Sequence, residues 1–532
     1  MTRTEHLTIG LVALALWGVS GLPLWVGWLS TPADQVYVAR VPITGADTTA
    51  YYSDIEQARQ GGVLVSNQFT SEPQRPTLFH PLWLFTGWLG ALTSWSTPAA
   101  YQAARLLAAW AFVLLLYRIL MTVSLRPAGR WLVLAVVVTS SGLGWLTRAD
   151  WRGDVQLNST PVDLWVAESN TFLSIGHSAL FIGSQALLLF ILWQGWLLWA
   201  GQVSRGKRWI GPALGLLALI HPYDLFTVVA VLVASFLWLT ASGRWPGERW
   251  REMVVAGLQW LVWVLPVVVY YLVVVLREPA MAGWLRQNVD TTSPPHLVFL
   301  AFGLLWPLAA IGLLADRHRR PSVLTLFFIW AMVGLAVIYL PGLTFQRRLL
   351  NGLHLPISLL AGWGLVMMSQ RLRPAVVRWT VVSVMIAVLA LSNLRSLALD
   401  AAQVFPDAKP HYPARISRAE YEAMLWLKAH SRPTDVVWSE VWMGNTIPGV
   451  SGRTVALGHG HQTIDLQGRL RDWEAWRTDS LAPAERTEML RRLRINLLFW
   501  RAKDKLPGGY RPETDQRWQL VFQKDDVRLF QL

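Results

Sequence analysis

The residue types best suited to chemistry lie in the first long polar stretch, Gly45 to Leu82, which opens GADTTAYYSDIEQARQGG and closes TLFHPLW. Asp47, Tyr51 and Asp54 are spaced i, i+4 and i+7, which puts them on one face of a short helix. Asp47 after Gly-Ala suits a helix N-cap. A carboxylate near an apolar surface also suits a general base acting on a hydroxyl. A second acidic group, Asp150, Asp154, Asp163 and Glu168, follows in a later polar segment. Asp163 and Glu168 sit among Pro161, Val162, Leu164, Trp165 and Val166, an apolar setting for two acids. Carboxylate oxygens from the two segments, with Asp47 and Asp163 as the candidates, could hold magnesium or manganese. The alternative is that they are solvated loop acids.

Two cations stand out by position. Arg347 and Arg348 occur in a turn that the charge pattern assigns to the outer face, where basic residues are disfavoured. Paired guanidinium donors suit a phosphate, and a lipid headgroup or a loop ion pair would suit them too. Arg105, four residues into an apolar run, should face the bundle or snorkel to the interface. His80, His177, His221 and His354 all fall near the outer face. Gly458-His459-Gly460-His461 brings two His together without acidic or Cys companions, a weak metal signal.

These residues need a membrane scaffold to hold them. Of 532 residues, 53% are hydrophobic and only 15% charged, against about 25% in soluble domains. Apolar runs of about 18 or more residues recur from Leu7 to Leu394. The 32 Trp fit interfacial belts, with sugar stacking as the sharper alternative. There is no Cys, which excludes disulfides and Cys-ligated metals.

The net charge of +14 does not mark a nucleic-acid binder. Its excess falls in short segments between apolar runs: Arg118, Arg126, Arg130; Arg205, Lys207, Arg208; Arg244, Arg249, Arg251; Arg317, Arg319, Arg320; Arg371, Arg373, Arg378. Cytoplasmic loops are enriched in this way. The pattern predicts an inner amino terminus and a polytopic helical protein of about 11 spans. Outer loops are expected at about residues 30–100 and 148–172. Pro81 to Trp95 is too short for a span and reads as an interfacial helix. Residues 209–241 must cross an even number of times, giving two short helices around His221-Pro222-Tyr223-Asp224. Broken helices at membrane depth need protein or a water-filled cavity around their ends, so this hairpin is expected to line a site.

After Arg395 the texture turns polar. Residues 435–439, 453–457, 496–500, 519–523 and 527–531 read as strands, with helices at 417–430, 467–478 and 482–494 between them. The expected organisation is a membrane domain over 1–399 and a small soluble α/β domain over 400–532 on the outer side.

The layout resembles the GT-C superfamily of membrane glycosyltransferases, which includes protein O-mannosyltransferases and the aminoarabinose transferase of lipid A. Asp47 in GADTTAYY matches the acid of the family's first outer loop. Phe79-His80-Pro81-Leu82 resembles its Pro-rich motif. Tyr101-Gln102-Ala103-Ala104-Arg105-Leu106 matches its second-span opening. Thr48 replaces the second acid of the mannosyltransferases, and the Trp-Trp-Asp-Tyr-Gly motif of oligosaccharyltransferases is absent.

The resemblance implies a multi-pass protein of a bacterial inner membrane. It would transfer a sugar, with inversion, from a polyprenyl-phosphate donor to a lipid, glycan or protein acceptor at the outer face. Asp47 would be the base. Arg347, Arg348 and Arg105 would hold the donor phosphate in the same cavity. Tyr51, Asp54, His80, Asp163, Glu168 and His221 would serve as acceptor or auxiliary residues. A flippase of lipid-linked sugars and a non-catalytic envelope scaffold are the alternatives. Few buried acids and no internal repeat count against the flippase.

Overall fold

The computed structural model describes residues 1–40, 45–123, 125–147, 159–202, 206–243, 250–316, 323–406 and 413–532. Asp150, Asp154, Arg205, Arg244, Arg249, Arg317, Arg319 and Arg320 lie outside the described residues. The chain divides into two compact units. The first comprises Met1–Pro23, Ala103–Tyr270 and Asp290–Ala401. The second comprises Leu24–Gln102, Tyr271–Val289 and Ala402–Leu532.

The chain is mostly helical. Five helices are long and apolar enough to cross a membrane: Thr97–Thr122, Ala179–Trp199, Asp224–Ala241, Trp250–Arg277 and Gln346–Arg371. Three bent pairs bring the number to as many as eight among the described residues. The sharpest bend, 68°, joins Pro295–Phe302 to Leu305–Ala315. Gly303 sits at the break with φ +41°, a conformation that other residues rarely adopt. Pro127–Thr139 and Val323–Val337 are shorter apolar helices. The expected hairpin is Ile210–Ile220 followed by Asp224–Ala241, with His221, Pro222 and Tyr223 at the turn.

The centre of the first unit is the helix His354–Arg371, buried along nearly its whole length. It packs closely on Leu305–Ala315 because Gly312 and Gly364 face the opposing backbone. Small residues at such crossings let two apolar helices approach where lipid offers no hydrophobic drive. Trp250–Arg277 is the opposite case: Val254, Leu258, Leu261, Val262, Leu265 and Leu272 are all exposed. So large an apolar face needs a non-aqueous neighbour, which a bilayer supplies.

The second unit holds two sheets. In the small one, β1 (Gln35–Tyr37) pairs antiparallel with β2 (Arg415–Ser417). The larger sheet contains β3 (Val436–Trp438), β4 (Thr454–Val455), β5 (Ile495–Arg501), β6 (Gln519–Lys524) and β7 (Val527–Gln531), in the order β4-β3-β5-β7-β6. The β3 strand is parallel to β4 and β5, and β7 is antiparallel to β5 and β6. One core joins Val38, Ala50 and Phe69 from the Leu24–Gln102 segment to Ile416, Met424, Val437, Ile447 and Leu529 near the carboxyl end. Glu56 is a polar bolt on the same assembly. It pairs with Lys428 at 2.6 Å and Arg59 at 2.8 Å, and accepts the Thr97 hydroxyl at 2.7 Å.

A Cβ added at Gly364 would collide with the Leu308 carbonyl. Gly364→Ala is expected to lower the melting temperature of the purified protein, with a loss of about 1–3 kcal/mol from overpacking. Gly10→Ala, which meets nothing within 4 Å, should leave it unchanged.

Candidate active site

Arg347 and Arg348 lie side by side in a 3-10 turn, Gln346–Leu350, just ahead of the central helix. Two adjacent guanidiniums repel, and one buried carboxylate, Asp290, holds them. Its Oδ1 pairs with Arg347 Nη2, and its Oδ2 accepts Arg348 Nε at 2.8 Å. The Asp290 backbone joins the same turn, donating to Thr344 O at 2.6 Å and accepting from Arg347 N at 3.0 Å. Aromatic faces complete the setting. The Arg347 guanidinium lies 5.1 Å from the Trp165 ring centre, and that of Arg348 lies 4.8 Å from Tyr223. Arg348 Nη1 also donates to the Tyr223 hydroxyl at 3.0 Å.

The side chains of Arg347 and Arg348 remain 21% and 23% exposed, so they can be reached. Each carries five donors. Among the described residues only Asp290 and Tyr223 are bonded to them, so N–H groups remain for a second anion. Glu168 belongs to this neighbourhood. Burial pushes its carboxyl up, while the charges of Arg347, His221 and Arg348 pull it back.

A buried polar chain behind the pair fixes the hairpin turn. His221 Nδ1 lies 3.0 Å from Asp224 Oδ1. Asn351 Nδ2 donates to Asp224 Oδ2 and to Ser184 Oγ, both at 2.8 Å, and Asn351 Oδ1 accepts Gln185 Nε2 at 3.1 Å. The turn bearing Tyr223 and the turn bearing Arg348 are thereby tied together. Buried polar groups at such depth need this satisfaction.

Other expected site residues of the first unit have structural partners. Arg105 is fully buried, with Nη1 donating to Gly176 O at 2.7 Å and Nη2 to Trp17 O at 2.9 Å. Those carbonyls lie in the last turns of Arg3–Ser20 and Thr171–His177, where helix ends favour a cation. Asp163 is buried too, and its Oδ2 accepts Gly142 N at 3.1 Å and Gly144 N at 3.3 Å. Burial pushes its carboxyl up to about 6, against the Ser392 hydroxyl and those two N–H groups. His354 joins three helices, with Ser140 Oγ at 3.1 Å and Thr171 Oγ1 at 3.0 Å.

In the second unit, Asp47 occupies the first turn of Gly45–Arg59 and is about half exposed. Its Oδ1 lies 3.6 Å from His459 Nε2. Tyr51 packs on Trp83, ring centres 4.8 Å apart, with Tyr101 beyond at 6.4 Å. Asp54 is partly buried, and desolvation pushes its carboxyl up to about 7. His80 caps Pro81–Thr93, stacking on Trp83 at 5.2 Å while its Nδ1 accepts Trp83 N at 3.5 Å. Among the described residues no three His, Asp or Glu side chains gather as a metal site would require.

Sequence reasoning missed Asp290, and it missed the proximity of His459 to Asp47. Asp290 is 57 and 58 residues from its two partners, a separation no local pattern reports. The polar segment that carries it also holds Glu278, and nothing in the sequence singles out either acid as the partner of the two Arg.

No family model and no curated protein matches the chain. Solved structures do. Apo ArnT from Cupriavidus metallidurans superposes with a TM-score of 0.53 at 13% identity, covering 98% of this chain and 97% of that one. ArnT bound to undecaprenyl phosphate gives 0.52 at 15% identity, with 100% and 98% covered. A mutant form of arabinofuranosyltransferase AftD from Mycobacteria gives 0.50 at 13% identity, covering 100% of this chain but 42% of that one. At such identities the likeness is one of fold. The chain has the GT-C fold, as its sequence led us to expect.

Folded Asp54 keeps its proton to about pH 7, whereas an unfolded Asp loses it near about pH 4. The folded state therefore binds more protons across that window, and this residue's contribution to stability falls as pH rises through it. Asp54→Asn is expected to melt higher than the unaltered protein at pH 8 and not at pH 4, as read from thermal scans at both.

Proposed function

We propose that the chain is an integral-membrane glycosyltransferase that uses a polyprenyl-phosphate sugar. The observation that carries this reading is the Asp290-held pair Arg347 and Arg348, buried enough to act in low dielectric and exposed enough to meet a ligand. It lies in a fold shared with ArnT, which has been solved with undecaprenyl phosphate.

In the proposed reaction the donor phosphate lies against Arg347 and Arg348. Asp47 removes the proton of the acceptor hydroxyl as its oxygen attacks the anomeric carbon. The bond from that carbon to the phosphate oxygen breaks, the anomeric centre inverts, and the polyprenyl phosphate leaves with its negative charge matched by the two guanidiniums. Tyr223 and Trp165 orient the pair, and Glu168 and His221 tune its field. Tyr51, Asp54 and His80 serve the acceptor side of the reaction in this reading. The Arg105 and Asp163 bonds support structural roles, so the phosphate is assigned to Arg347 and Arg348 alone.

The reading includes about 11 spans. It also takes residues 1–399 as the membrane domain and 400–532 as an extracytoplasmic domain of a bacterial inner-membrane protein. The acceptor would be a lipid, glycan or protein hydroxyl.

The test uses the full chain in lipid nanodiscs. Arg348→Ala should weaken binding of undecaprenyl phosphate about tenfold or more, the loss of a charge-assisted pair. Asp47→Asn should leave that binding intact and lower sugar transfer by about 10²–10⁴-fold. Transfer undiminished in Asp47→Asn would remove Asp47 as base, and undiminished binding in Arg348→Ala would remove the phosphate site.

A further inference from the structure

His459 belongs to the carboxyl-terminal part of the second unit and is buried, with 1% of its surface exposed. Its Nδ1 faces two backbone donors, His461 N at 3.0 Å and Gln462 N at 3.2 Å. A ring nitrogen that accepts N–H bonds carries no proton. The neutral ring must therefore carry its proton on Nε2, the nitrogen 3.6 Å from Asp47 Oδ1. That distance is longer than a hydrogen bond. Contacts of this kind in ligand-free sites tighten when substrate binds. Phe69 packs beside the imidazole, ring centres 5.4 Å apart, and holds its plane.

The tautomer also decides against a metal. A ligand at Nε2 would need that nitrogen bare and Nδ1 protonated, aiming an N–H at two other N–H groups. The Gly458-His459-Gly460-His461 stretch serves instead to turn one imidazole and lock it. Gly458 allows the close approach, since a Cβ there would strike the Gly444 carbonyl.

We propose that His459 is a positioning residue for Asp47: its Nε2–H donates to Oδ1 and fixes the rotation of the carboxylate, so that a domain remote in sequence completes the general base. This rests on the reading of Asp47 as base. Asp47 is half exposed at a helix start, and a base must present a lone pair in one direction. One donor on one oxygen supplies that constraint.

Two variants separate positioning from structure. In His459→Asn the amide oxygen replaces Nδ1 and still accepts the His461 and Gln462 N–H groups, but the shorter side chain brings no donor of its own to Asp47 Oδ1. In His459→Gln the longer side chain restores a donor near Nε2. With the full chain in nanodiscs, activity is read on whichever undecaprenyl-phosphate sugar the unaltered protein turns over from a glucosyl, mannosyl and arabinosyl panel. His459→Asn should lower kcat about tenfold, the worth of one charge-assisted hydrogen bond, with KM for the donor and undecaprenyl phosphate binding unchanged. His459→Gln should recover most of the loss. Nitrogen-15 NMR of labelled histidine should give His459 as the Nε2–H tautomer, with that resonance shifting in Asp47→Asn. An Nδ1–H tautomer, or a His459→Asn protein as active as the unaltered one, overturns the proposal. If Asp47→Asn is inactive while His459→Asn is not, the transferase reading stands and this inference falls. If no donor is turned over, the transferase reading fails and the NMR result alone decides whether His459 holds Asp47.

Discussion

One carboxylate shared between two adjacent guanidiniums organises the first unit. Asp290 turns a repulsive pair, Arg347 and Arg348, into a stable feature of a low-dielectric setting. Removing one partner of a buried pair costs about 3–5 kcal/mol, because the other is left uncompensated. The effect here spreads further, since Asp290 also binds the backbone of the turn leading into the central helix. That turn continues to Asn351, which holds Asp224, while Arg348 holds Tyr223. Both sides of the hairpin turn therefore depend on where the two Arg sit. One carboxylate does not neutralise two guanidiniums, so the pair keeps attraction for a further anion. That residual charge gives the phosphate reading its physical content.

The second unit is held by burial more than by charge. Val38, Ala50 and Phe69 share a core with Ile416, Met424 and Ile447, so the loop bearing Asp47 folds against the carboxyl-terminal residues. The β1–β2 pairing, the Glu56–Lys428 ion pair and the closeness of His459 to Asp47 link the same two stretches. A carboxylate in a loop of its own would be poorly aimed. On a helix whose Ala50 shares that core, it gains a fixed frame.

Much of this was legible in the sequence, and the exceptions follow a rule. Period and composition report local structure. The apolar runs fell on helices or bent pairs, and the stretches read as strands at 435–439, 496–500 and 527–531 are β3, β5 and β7. The shared face of Asp47, Tyr51 and Asp54 came from spacing alone. The helix Val441–Ser451 was not visible, because Gly444, Pro448 and Gly449 all lower helix propensity. It forms because Glu440 caps it, accepting Trp442 N at 3.0 Å, and because it is buried. Arg347 and Arg348 drew notice by violating the charge bias of membrane loops, but their partner Asp290 carried no such mark. Arg105 was legible as a charge that must face inward. That the carbonyls of Gly176 and Trp17 would meet it is tertiary information.

The central claim is that the Asp290-held guanidiniums receive a lipid phosphate. A cryo-electron microscopy map of the full chain in nanodiscs with undecaprenyl phosphate tests it most directly. We predict phosphate density within hydrogen-bond distance of Arg347 or Arg348, with Tyr223 still on Arg348. Phosphate density bound elsewhere, with both guanidiniums still closed on Asp290 alone, would contradict the account.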